Sequence, residues 1–138
     1  ITKNNYIKSM KELLSKVAEF MKATEQPIGK LPSTVRSDLA EFRYKLAYEE
    51  LEEYRQACSE GDVVGILDAL VDQLYILLGT FNTHGLNHVA IDAFNEVHRS
   101  NMTKLDDDGK PIKNEFGKVV KSKNYEPPQL EKFVTHSF

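Results

Sequence analysis

Hydrophobic and polar positions alternate along most of this chain with the period of an α-helix. Tyr6, Ile7, Met10, Leu13, Leu14, Val17, Phe20 and Met21 recur at helical spacing, which predicts an amphipathic helix from about Asn5 to Ala23. The stretch from Glu25 to Pro32 holds two prolines and a glycine and reads as a loop. Ser33 or Ser37 can cap a second helix that runs to about Glu60. Gly61 suits the position just past a helix end, and Asp62 suits the cap of the next helix. A third helix is predicted from Val63 to about Leu78, ending where Gly79, Asn82 and Gly85 loosen the chain. A shorter fourth covers roughly His88 to Arg99. Beyond it, Asp106-Asp107-Asp108-Gly109 makes a turn. Lys110 to Lys113 and Lys118 to Lys121 then flank Asn114-Glu115-Phe116-Gly117, the pattern of a small β-hairpin. An extended tail starts at Tyr125-Glu126-Pro127-Pro128. The expected class is all-α: an antiparallel bundle of about four helices with a small hairpin and a tail, as one domain over 1–138.

The acidic residues break this pattern in an informative way. At roughly 100° per residue, Val35, Leu39, Phe42, Leu46 and Ala57 share one stripe of the second helix. Glu50 and Glu53 fall on that stripe, Glu49 lies at its edge, and Glu52 points away. The third helix is apolar nearly all round, the mark of a buried helix, yet carries Asp68 and Asp72 one turn apart. Buried carboxylates need cations, protons or strong donors. The two helices join near Gly61 and should form an antiparallel hairpin. Glu53 lies eight residues before Gly61 and Asp68 seven after it; Glu50 and Asp72 both lie eleven away. Each Glu is therefore level with an Asp, about 10 to 17 Å from the turn. Two like charges about 4 Å apart repel by about 4 kcal/mol at an effective dielectric of 20. Such a cluster calls for a counter-charge, and oxygen-only ligands favour Mg²⁺ or Mn²⁺.

Composition narrows the field. The 138 residues carry a net charge of −3 and 28% charged residues, which does not suggest a basic nucleic-acid-binding surface. The apolar run from Val63 to Leu78 is interrupted by Asp68, Asp72 and Gln73, which suits a core helix better than a membrane span. Ile1 to Met10 lacks the apolar core of a signal peptide. A lone cysteine, Cys58, leaves no intrachain disulfide and is expected to serve in packing. Nucleic-acid and membrane partners are thus not expected, and the expected location is cytoplasmic. His84 and His88, at i and i+4 around Gly85, read as capping or solvated residues rather than zinc ligands.

Taken together, Glu50-x-x-Glu53 followed by Asp68 and Asp72 in an apolar helix resembles the all-α nucleoside triphosphate pyrophosphohydrolase superfamily. That group includes MazG-like enzymes, dimeric dUTPases, dCTP pyrophosphatases and phosphoribosyl-ATP pyrophosphohydrolase. Asp68 to Tyr75 with Gly79-Thr80, and Phe94-Asn95-Glu96-Val97-His98-Arg99-Ser100-Asn101-Met102-x-Lys104, resemble its MazG-like branch. The ending Asp108-Gly109-Lys110-Pro111, Gly117 to Lys121 and Asn124-Tyr125-x-Pro127-Pro128 does so too. The usual second motif is Glu-x-x-Asp; Ala69 stands three before Asp72, and Asp68, four before on the same face, is expected to take the place of the Glu. The resemblance implies helical homodimers or homotetramers and Mg²⁺-dependent cleavage between the α and β phosphates. Glu50, Glu53, Asp68 and Asp72 are then the metal candidates, and Glu49, Glu50 and Glu53 the catalytic carboxylates. Arg99, Asn101, Lys104, Lys118, Lys121 and Tyr125 are the substrate-binding candidates. The alternatives are phosphoribosyl-ATP hydrolysis and a non-enzymatic helical module whose acidic patch binds a basic partner. Burial separates the last from the others, because an interaction patch must face solvent.

Overall fold

The structure is a computed structural model that describes residues 3–135, with side chains from residue 9 onward. Tyr6 and Ile7, expected on the apolar face of the first helix, lie outside the described side chains. That helix, α1 (Lys3–Ala23), buries Leu14, Val17 and Met21, one per turn. Phe20 sits at the edge of this stripe and meets Tyr75 edge-on, with ring centroids 5.7 Å apart.

Helix α2 (Ser37–Glu60) follows Arg36, which makes no side-chain cap. Neither serine caps it: Ser37 is already helical, and the Ser33 backbone N–H donates to the His84 carbonyl at 3.0 Å. The loop before α2 is thus held by backbone bonds to the far end of the third helix, including Gly29 N–H to Asn82 O at 2.9 Å. The turn behaves as its sequence predicts. Gly61 takes the left-handed conformation at φ 65°, and the Asp62 side chain accepts from the Gly65 N–H.

Helix α3 (Val63–Thr83) runs a full turn past the end expected from Gly79. The glycine is a slot rather than a breaker. A Cβ there would lie 2.6 Å from Nη2 of Arg43, so only glycine lets that guanidinium lie against the helix. Thr80 and Thr83 keep their hydroxyls inside α3 by donating to the carbonyls of Ile76 and Gly79. Asn82 is buried against α1, where its amide donates to Leu14 O. Beyond α3 a short 3₁₀ turn (Asn87–Val89) precedes α4 (Ala90–Met102), so the fourth helix starts two residues later and ends three later than expected.

The chain divides into two compact units, one through His88 and one from Val89. In the first, α3 packs antiparallel against α2 and also against α1. Two neighbours do not cover an all-round apolar helix, so burial of α3 is less complete than its sequence suggests: Val63, Val64 and Leu67 are 75%, 78% and 62% exposed. By length and composition α3 could cross a membrane. Asp68 and Asp72 near its middle make a hydrocarbon setting costly. Cys58 is exposed rather than packed.

In the second unit, α4 is followed by an antiparallel hairpin of β1 (Ile112–Lys113) and β2 (Val119–Val120), with Ile112 opposite Val120. A four-residue helix, α5 (Glu131–Val134), interrupts the tail expected to be extended. Arg99 and Ser100 on α4 fasten the tail through the Glu126 carboxylate and carbonyl.

Candidate metal centre

The α2–α3 hairpin brings its carboxylates level, as the register requires. Glu50, Glu53 and Asp72 each offer one oxygen, and the three oxygens lie within 4.8 Å of one another. Their settings differ. Glu50 and Asp72 are half-buried and Glu53 is exposed. One oxygen of Glu50, Oε2, is fully buried without a hydrogen-bond partner. Burial first, then hydrogen bonding and repulsion from Glu53 and the charges of Asp72 and Asp68, together raise the Glu50 carboxyl to about 7. Asp72 is raised as well, first by burial and then by Asp68 and Glu53.

Asp68 is exposed and stands outside the trio, although its charge bears on both neighbours. Ala69, where the usual motif has Glu, is buried. Glu49 is exposed beside the cluster in sequence. Glu52 points away as expected and grips Arg55, with Nη2 at 2.7 and 2.6 Å from its two oxygens. Glu50 and Asp72 are therefore desolvated and crowded enough to hold on to protons, and the trio is a compact set of oxygen donors that includes one buried oxygen without a hydrogen-bond partner. That chemistry fits a small hard divalent ion. The buried Glu50 oxygen is also at odds with a solvent-facing acidic docking patch.

The six substrate-binding candidates all lie in the second unit. Arg99 is already engaged: Nε and Nη2 donate to the Glu96 carboxylate at 2.7 and 3.0 Å, and Nη1 donates to Glu126 at 2.8 Å. An incoming phosphate would have to compete with two carboxylates for it. Lys121 and Tyr125 are brought together, with the ammonium 4.7 Å from the ring centroid. Asn101 and Lys118 are exposed and Lys104 is half-buried at the end of α4.

Sequence reasoning missed Arg43. It is 6% exposed and spends its guanidinium on neutral acceptors: Nε on Thr80 Oγ1 at 3.0 Å, Nη1 on Gln26 Oε1 at 3.2 Å and Nη2 on Ile76 O at 2.6 Å. The signal was weak, since Arg43 falls at the edge of the apolar stripe, about as far from its centre as Glu49.

The family described as PRA-PH, phosphoribosyl-ATP pyrophosphohydrolase, matches residues 17–101, more than half of the chain. No curated protein matches the chain.

Proposed function

The chain belongs to the phosphoribosyl-ATP pyrophosphohydrolase family, whose match contains the whole carboxylate cluster, and on that premise we propose that its substrates are ribo- or deoxyribonucleoside triphosphates. Pyrophosphohydrolysis of a nucleotide-like substrate is the chemistry of the family. In the proposed reaction, water attacks the α-phosphorus and the products are monophosphate and pyrophosphate. The observation that carries this reading is the trio of oxygens within 4.8 Å on one antiparallel hairpin. Glu50, Glu53 and Asp72 would hold Mg²⁺, or Mn²⁺, with Asp68 adding charge from outside the trio. Once bound, the cation supplies the positive charge that a triphosphate needs to approach carboxylates, and it acidifies water.

The remaining chemistry belongs to the chain. The carboxylate of Glu49 is proposed to orient the attacking water and take its proton. Lys104, Lys118 and Lys121, with Asn101, are the proposed phosphate donors. Arg99 ranks below them because Glu96 and Glu126 hold it. Tyr125, with the Lys121 ammonium over its ring, is the proposed stacking residue for the substrate. The placement in the MazG-like branch rests on Phe94 to Lys104 and the tail motif through Pro128.

A homodimer or homotetramer is proposed from the exposed apolar residues at the turn end of α3, namely Val63, Val64 and Leu67. The expectations of a cytoplasmic location and of no nucleic-acid or membrane partner stand as part of this reading. One second reading has support, because the family description itself names phosphoribosyl-ATP. Pyrophosphate release from a panel of NTPs, dNTPs and phosphoribosyl-ATP, with and without Mg²⁺, separates the two.

A further inference from the structure

Among the described residues, two buried side-chain polar atoms lack a hydrogen-bond partner: Oε2 of Glu50 and Nε2 of Gln73. One is an acceptor in the ionised carboxylate and the other is a donor. Each is costly to bury unmet, and the two are chemically complementary. Glu50 belongs to the carboxylate trio. Gln73 has had no role so far.

The register of the hairpin sets these residues opposite each other. Arg43 on α2 reaches across to α3, with Nε donating to Thr80 Oγ1 at 3.0 Å and Nη2 to Ile76 O at 2.6 Å. Glu50 lies seven residues after Arg43, and Gln73 lies seven before Thr80. In an antiparallel pair both steps run toward the turn at Gly61. Seven residues rise by about 10 Å and fall about 20° short of two full turns. Glu50 therefore keeps the facing of Arg43, and Gln73 keeps that of Thr80. Gln73 is also nine residues from Asn82, about 180° round the helix, and the Asn82 amide meets α1. Gln73 thus faces α2. Asp72 stands about 100° round α3 from Gln73, with Ala69 and Ile76 between them on the helical wheel. The two approach α2 from opposite sides of the contact, with Glu50 at their level.

Resting on the metal-centre reading, we propose that Gln73 is a positioning residue: its amide N–H donates to the buried oxygen of Glu50 and holds that carboxylate toward Glu53 and Asp72 for the cation. The two side chains are not hydrogen-bonded to each other in this structure. The contact is made as Glu50 turns to the cation, directly or through one water. An ionised carboxylate only accepts, so a donor supports the metal-bound form. An amide turned the other way would set acceptor against acceptor. Gln73 touches neither cation nor substrate and acts through Glu50.

Mn²⁺ binding to the full chain tests this, with the parent, Gln73→Met, Glu50→Ala and the double variant. Gln73→Met is close in shape and lacks the donor. It should weaken Mn²⁺ binding at least about tenfold and leave the urea midpoint in EDTA unchanged. On top of Glu50→Ala it should change the affinity by less than about twofold, because the carboxylate it serves is gone. A second measurement needs no variant: the Gln73 side-chain amide protons should move downfield when Mg²⁺ is added to the parent. Unchanged affinity in Gln73→Met, an equal loss on both backgrounds, or amide protons that ignore Mg²⁺ overturns the proposal. So does a lowered urea midpoint in EDTA, which marks a structural role. The two readings fail separately. A parent that binds Mn²⁺ no better than Gln73→Met keeps the metal centre and loses the role of Gln73. A parent that binds neither ion loses the centre, and Gln73 with it.

Discussion

Glu50→Gln removes one charge from the crowded hairpin and should stabilise the metal-free chain while ending its response to metal. The Glu50 carboxyl is raised from 4.5 to about 7, so between those pH values the folded chain binds more protons than the unfolded one. Its share of stability is therefore full below pH 4.5 and is lost as the pH rises through 7. Ionising Glu50 in the fold costs up to about 3 kcal/mol. Contact with water at the half-buried site reduces this to about 1–2 kcal/mol. Gln has no charge to lose, so at pH 8 without metal the variant should exceed the parent by about 1–2 kcal/mol, and at pH 4 the two should converge. Added Mg²⁺ should reverse the order. At a hundred times its Kd a ligand adds about 2.7 kcal/mol to the parent, and a variant short of a ligand charge should gain little. Urea unfolding at both pH values, with EDTA or Mg²⁺, reads all four quantities. A variant less stable than the parent at pH 8 in EDTA would refute the repulsion argument. An equal gain from Mg²⁺ in both proteins would remove Glu50 from the metal site.

Three further outcomes follow from the same geometry. Glu53→Gln should abolish Mg²⁺-dependent pyrophosphate release with the circular dichroism spectrum unchanged, because the side chain is exposed and its proposed role is in the metal site rather than the core; an unchanged rate removes it from the site. Gly79→Ala should destabilise by about 1–2 kcal/mol in urea, since displacing Arg43 Nη2 and its bond to Ile76 O outweighs the roughly 1 kcal/mol that alanine gains in helix propensity; a stabilised variant would mean that the guanidinium does not need the slot. Light scattering at micromolar concentration should show a dimer or tetramer, and a folded, active species of 15.7 kDa would mean that the exposed end of α3 needs no cover.

The approach of Glu50, Glu53 and Asp72 is legible in the sequence, because helical rise and a short turn fix register in an αα-hairpin. Which oxygens converge is not. Asp68 and Asp72 share a face, but only Asp72 joins Glu50 and Glu53. The overrun of α3 is hidden because Gly79 signals a helix end in isolation, and only the Arg43 guanidinium lying against it turns the glycine into a packing requirement. The same contact hides Arg43 itself, whose partners lie 17 to 37 residues away in the chain. Arg99 reads as a phosphate donor from its place near the end of α4. Glu126, 27 residues on, competes for it, and no local pattern announces that. Helix α5 escapes because four residues are too few for a period to show.

Stoichiometric analysis of the products tests the central claim most directly. The full chain is incubated with each NTP and dNTP, with Mg²⁺ or with EDTA, and pyrophosphate, orthophosphate and monophosphate are quantified together. The account predicts monophosphate and pyrophosphate in equal amounts, only with Mg²⁺, and none of either from Glu53→Gln. Orthophosphate as the primary product, or turnover that persists in EDTA, would contradict it.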